Sequence, residues 1–288
     1  MKILSDFDGV WTDQALEAQS VKLYLAAEAA RLAGVSADEA LEHFQGYEAA
    51  VKAAPTRYGW APDGRITAYV DEDPFCVPNS IAVYIEEGAE AHARTYRAAI
   101  LDGGFANMTA FADHCFHTAA GDYRQQHPPA LVPGAAEVLH ELHGLGAEVL
   151  VVSNSPAEKI VGWFQAVGAD AGVGPDHDLR VRGQAGKQTL GANNTSIEVA
   201  GREIFVHRPL YEQVIEEENP DLIIGDVFSL DLALPHVLRR EGRAAAPETL
   251  VLRKLGHTPE WIHSTRAEGA IDLMVEGVHE LIDLVKRG

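Results

Sequence analysis

At 288 residues the chain can bury one large core or two smaller ones, and an apolar share of 47% suits a globular protein. A formal charge of −20 argues against a polyanionic partner such as nucleic acid, whose binding needs basic patches. No apolar run reaches membrane-spanning length, the N-terminus lacks the basic and apolar segments of a signal peptide, and the two cysteines, Cys76 and Cys115, make no disulfide framework. A cytoplasmic protein with no membrane partner is expected.

The first thirteen residues run from a short apolar stretch, Ile3-Leu4, into Asp6-Phe7-Asp8-Gly9. This predicts a buried strand whose end carries two carboxylates two residues apart, aimed to one side by strand alternation. Two anions that close need a cation between them or a shared proton, which marks a chemical site. A calcium loop is excluded, because Gly9 comes fourth when Asp6 is counted first, and Val10 stands where a ligand is required. The plain alternative is a strand entering an Asx-type turn.

Residues 14–127 have a mainly helical texture. Helices are predicted over 15–33, ended by Gly34, and over 38–53, started by a Ser36/Glu39 capping box. Two more are predicted over 88–101 and 107–121. Between them, 55–79 reads as a long irregular stretch rich in Pro, Gly, Asp and aromatics, with a short strand within 65–70. His114 and His117 with Cys115 form only a weak metal signal.

After Pro128-Pro129 strands and helices alternate, the pattern of a parallel sheet covered by helices. A helix over 133–145 leads to a buried strand over 148–152 and then to Ser153-Asn154-Ser155-Pro156. Ser155 with Glu158 reads as a capping box with Pro156 at the first helical position, which places Ser153 beside a helix N-terminus that attracts anions. Segments 196–199 and 203–206 read as a hairpin about Ala200-Gly201-Arg202. A second buried run, 222–224, ends in Gly225-Asp226, with Asp231 five residues on. Asp226 falls where ligands bind in open parallel sheets; Asp231 is a first-turn residue if Ser229 caps the next helix. Strands over 250–252 and 271–274 and a helix over 276–286 complete the chain.

Asp6-Phe7-Asp8-Gly9, the apolar run ending in Ser153-Asn154, and Gly225-Asp226 with Asp231 stand in the order found in the haloacid dehalogenase superfamily of phosphohydrolases, which the chain resembles over residues 1–13 and 128–288. The resemblance implies a Rossmann-like α/β core, with residues 14–127 as a mainly helical cap that closes over the site. Because the dehalogenases lack the second aspartate, Asp8 makes the chain look like the phosphatase and phosphotransferase branches. It further implies Asp6 as nucleophile, Asp8 as acid and base, and Ser153 and Asn154 as phosphate-binding residues. Mg2+ would be held by Asp6, the Asp8 carbonyl and Asp226, with Asp231 in support. The family's lysine is displaced here: Arg208, before Pro209, stands in its setting, and Lys187 lies upstream. Lys187 is preferred, with Arg208 as the alternative. Arg57, Tyr58 and Trp60 are candidate cap contacts. The expected partner is a small phosphorylated metabolite and the expected form a monomer or homodimer. A phosphomutase or a non-catalytic metal- or phosphate-binding module are the other readings.

Overall fold

The computed structural model describes residues 1–128 and 130–287, so Pro129 of the Pro-Pro pair lies outside the described residues, as does Gly288. The chain divides into two compact units, one of Met1–Asp13 with Pro129–Gly288 and one of Gln14–Pro128. In chain order the elements are β1 (Lys2–Ser5), α1 (Ala15–Ala33), α2 (Ala37–Ala53), β2 (Gly59–Trp60), β3 (Ala68–Tyr69), α3 (Cys76–Glu87), α4 (Ala91–Asp102), α5 (Met108–Gln126), α6 (Ala135–Gly144), β4 (Glu148–Val152), α7 (Ala157–Ala166), β5 (Ala171–Gly172), β6 (Leu179–Arg182), β7 (Ser196–Val199), β8 (Arg202–Phe205), α8 (Pro209–Glu218), β9 (Leu222–Gly225), a π-helical turn (Phe228–Leu232), α9 (Ala233–Arg240), β10 (Thr249–Arg253), α10 (Trp261–Ala267), β11 (Leu273–Val275) and α11 (Glu280–Arg287).

Among the described residues, seven strands form an all-parallel sheet in the order β11-β10-β9-β1-β4-β6-β5, the core of a Rossmann-like α/β fold. Apolar residues of β1, β4 and β9 are buried on both faces, as a sheet covered by helices requires. One sheet face packs Ile3, Val149, Val151 and Ile224 against Val138, Leu142, Ile160 and Phe164 from α6 and α7. The chain leaves β1 toward β4 and leaves β9 toward β10, in opposite directions. The crevice this opens at the carboxyl ends of adjacent strands β1 and β9 is where open α/β sheets bind ligands.

The second unit is helical, with α1 packed on α2, α4 and α5. Ser36 caps α2 by accepting from the Glu39 N–H at 3.2 Å, and Gly34 closes α1 in the left-handed conformation. The predicted irregular stretch is shorter than expected. Helix α3 begins inside it at Cys76, because Pro78 falls in the first turn, where no amide donor is needed. Trp60 pairs with Ala68 in the β2–β3 ladder, Tyr58 is buried, and Arg57 pairs with Glu87 at 2.5 Å. His114 packs on Phe105 and His117 on Phe116; neither joins a group able to hold a metal among the described residues. Among the described residues no helix is long and apolar enough to cross a membrane.

Candidate active site

Strand β1 stops at Ser5, and the Asp6 N–H still bonds to the Ile224 carbonyl at 2.8 Å. The chain then turns, with Val10 and Trp11 donating back to the Phe7 carbonyl. The predicted alternation of Asp6 and Asp8 along one strand face therefore does not occur, because Asp8 already lies in the turn. Two glycines make the close approaches that follow. Gly9 has φ +78°, and a Cβ there would fall 2.0 Å from Asp226 Oδ2. A Cβ on Gly225 would fall 2.3 Å from Asp231 Oδ2. The glycines let Asp226 lie against the first turn and Asp231 fold back over the end of β9.

Asp6, Asp226 and Asp231 each offer an oxygen within 4.8 Å of the others, so the two ends of the chain meet here. Between Asp6 and Asp231 sits Lys187, 1% exposed, its Nζ 2.6 Å from Asp6 Oδ1 and 2.8 Å from Asp231 Oδ1. Asp231 spends its other oxygen on the Val227 N–H at 3.1 Å. Burial opposes the charge on Lys187, but the Asp231 and Asp6 carboxylates outweigh it and hold the ammonium protonated. Burial pushes the Asp6 carboxyl up to about 7; Lys187 opposes this, while Asp231 and Asp8 reinforce it.

Position rather than residue type separates the two candidate cations. The Lys187 N–H donates to Asn154 Oδ1 at 2.8 Å, which ties its loop to the end of β4. Arg208, fully buried, directs its terminal nitrogens to the Lys187 and Ser229 carbonyls. Lys187 thus takes the place beside Asp6, and Arg208 braces the backbone behind it. The segment between them contains the hairpin β7–β8, whose turn residues Ala200 and Gly201 have φ of +48° and +74°, as a two-residue hairpin turn requires.

Asp8 has different partners. Its Oδ2 accepts from Ser155 Oγ at 2.7 Å and its Oδ1 from Lys159 Nζ at 3.0 Å. The predicted capping role of Ser155 is not realised: no side chain caps α7, and Pro156 itself occupies the cap position. The Ser155 hydroxyl is turned instead toward Asp8, 147 residues away in the chain, to which it donates. Ser229 likewise does not cap; Asp231 lies in the π-helical turn instead of the first turn of an α-helix. Ser153 is buried at the end of β4, and its Oγ accepts from the Ser155 N–H at 3.1 Å.

Sequence reasoning passed over three residues. Lys159 was readable as the residue one helical turn after Ser155. Arg253, at the last position of β10, donates to the Gly9 and Val10 carbonyls at 2.7 and 2.6 Å; the predicted strand stopped one residue short of it. Tyr211 donates to the Asp231 carbonyl at 3.0 Å, with Lys187 Nζ 5.4 Å from its ring centre. Its only signal was its place in the first turn after Pro209.

The donor set suits a hard divalent cation. Three carboxylates and the turn's carbonyls are all oxygen, the chemistry Mg2+ prefers. Because both Asp231 oxygens are engaged, Asp6 and Asp226 are the better placed for direct ligation.

No family model matches the chain, and no curated protein matches it by sequence. Solved structures do resemble it. A haloacid dehalogenase-like family hydrolase from Streptococcus pneumoniae is 10% identical with a TM-score of 0.48, covering 98% of this chain and 97% of that one. A phosphatase of the same family from Thermococcus onnurineus is 13% identical with a TM-score of 0.46, covering 99% and 98%. A magnesium-bound protein of Bacillus subtilis assigned to these hydrolases is 12% identical with a TM-score of 0.44, covering 99% and 98%. The chain is similar in fold to these haloacid dehalogenase-like proteins.

Proposed function

We propose that the protein is a magnesium-dependent phosphatase acting on a small phosphomonoester through an aspartyl-phosphate. The observation that carries this reading is the buried Asp6 carboxylate, pinned at 2.6 Å by Lys187 and flanked by Asp226 and Asp231. Three carboxylates within 4.8 Å of one another offer the all-oxygen donor set that a divalent cation would take.

In this reading Asp6 attacks phosphorus and its bond to the leaving oxygen breaks. Lys187 fixes one Asp6 oxygen and so the plane of the nucleophile. Asp8 gives a proton to the leaving oxygen, then takes one from the water that releases phosphate. The Ser153 hydroxyl holds a phosphoryl oxygen, while Asn154 contributes by fixing Lys187. Mg2+, held by Asp6, the Asp8 carbonyl and Asp226 with Asp231 in support, would screen the approach of an anionic phosphate to Asp6. The Gln14–Pro128 unit is assigned the choice of substrate.

The test is phosphate release from p-nitrophenyl phosphate and a panel of phosphorylated metabolites, with Mg2+ and with EDTA. Magnesium-dependent release that disappears in Asp6→Asn is expected. A folded wild-type protein that releases nothing, or an Asp6→Asn variant that retains the rate, overturns the reading. Release of an isomeric phosphosugar in place of free phosphate would assign the phosphomutase branch.

A further inference from the structure

The proposed acid and base, Asp8, sits in the turn after β1, outside the strand ladder. Its two oxygens have separate donors, one just before α7 and one in its first turn: Ser155 Oγ at 2.7 Å and Lys159 Nζ at 3.0 Å. Lys159 Nζ also reaches Ser155 Oγ at 3.1 Å, which closes the three groups into a ring of contacts. A surface lysine would swing into solvent, but this one is 11% exposed. Its ammonium lies 5.5 Å from the centre of the Phe7 ring and 5.3 Å from that of Trp163, two rings packed edge-on at 5.7 Å. The aromatic walls hold the ammonium inward, where Asp8 is its acidic partner.

We infer that Lys159 and Ser155 are positioning residues that set the direction of the Asp8 carboxylate. The inference rests on the reading of Asp6 as nucleophile and Asp8 as proton donor. Lys159 acts through Asp8 and is given no contact with substrate. When the phosphorus bond to the leaving oxygen breaks, the proton passes from the Asp8 carboxyl to that oxygen. A misdirected Asp8 therefore harms substrates whose leaving oxygen needs the proton and spares those whose leaving group departs as an anion.

The experiment compares wild type, Lys159→Met, Lys159→Arg and Ser155→Ala on glycerol 2-phosphate, an alkyl ester, and on p-nitrophenyl phosphate, with crystal structures of wild type and Lys159→Met. Lys159→Met should lose about tenfold or more in kcat on the alkyl ester beyond its loss on the aryl ester, with KM nearly unchanged. Ser155→Ala should show the same bias more weakly, and Lys159→Arg should recover most of the alkyl rate. In the Lys159→Met crystal the Asp8 carboxylate should leave its place while Asp6, Lys187 and Asp231 stay. Equal losses on both esters, or an unmoved Asp8, overturn the inference. If wild type hydrolyses neither ester, the orientation of Asp8 in the two crystals alone decides the role of Lys159, and the functional reading fails only if the whole metabolite panel is unreactive too.

Discussion

The two units treat their buried polar groups differently. In the helical unit these groups close local structure: Ser80 Oγ donates to the Cys76 carbonyl at 2.7 Å, Thr67 Oγ1 to the Trp60 carbonyl at 3.0 Å, and Glu72 accepts from the Tyr69 N–H at 3.2 Å. Glu17 reaches further, to Arg124 at 2.8 Å, and joins α1 to α5. At the strand ends of the other unit, Lys187 meets Asp6 from 181 residues away and Ser155 meets Asp8 from 147. Local bonds satisfy groups the backbone would otherwise leave unpaired. Charges gathered from across the chain into a largely buried crevice cost desolvation that packing alone does not require, and so point to chemistry.

The largest effect expected from that contrast is at Gly9. Gly9→Ala must strain a left-handed residue and drive its methyl into Asp226, which should destabilise the fold by about 3 kcal/mol and abolish turnover. Denaturant melts and the p-nitrophenyl phosphate assay read both. Lys187→Met comes next. It leaves Asp6 and Asp231 facing each other without their cation, and kcat should fall about 10²- to 10³-fold while Mg2+ stabilises the variant more than it does wild type.

A smaller effect follows from the raised Asp6 carboxyl. Above the ordinary value of 3.8 the unfolded state loses this proton while the folded state keeps it up to about 7. The contribution of Asp6 to the stability of the metal-free protein should therefore be fully present below about pH 4, fall as pH rises, and be lost above about 7. Melting temperatures from pH 4 to 8 in EDTA, compared with Asp6→Asn, isolate this contribution, and excess Mg2+ should flatten the difference by replacing the proton. The smallest effect belongs to the helical unit. Glu17→Gln weakens one partly exposed ion pair and should cost about 1 kcal/mol in a denaturant melt, with kcat unchanged. A tenfold loss of kcat there would erase the contrast.

What the sequence made legible were features fixed by near neighbours. The bounds of α1 and β4, the Ser36 cap and the Ala200-Gly201 turn depend on propensity, periodicity and turn chemistry within a few residues. The strand-end aspartates were visible because buried apolar runs stop abruptly at them. What stayed hidden depended on distant partners. Ser155 has the sequence of a cap and the environment of a ligand to Asp8. Lys187 was preferred over Arg208 in the sequence, but the contacts that set it beside Asp6, from Asn154 and from Arg208 to the Lys187 carbonyl, are encoded by no local pattern. Helix α3 was masked by Pro78, which reads as a breaker unless the helix start is known.

The most direct test of the central claim is an acid quench of wild type and Asp6→Asn within milliseconds of mixing with radiolabelled phosphomonoester and Mg2+, followed by peptide mapping. Covalent phosphate on the peptide bearing Asp6, absent from Asp6→Asn and from samples with EDTA, is the predicted result. Active wild-type enzyme that carries no label, or carries it on another residue, would contradict the assignment of Asp6 as the nucleophile.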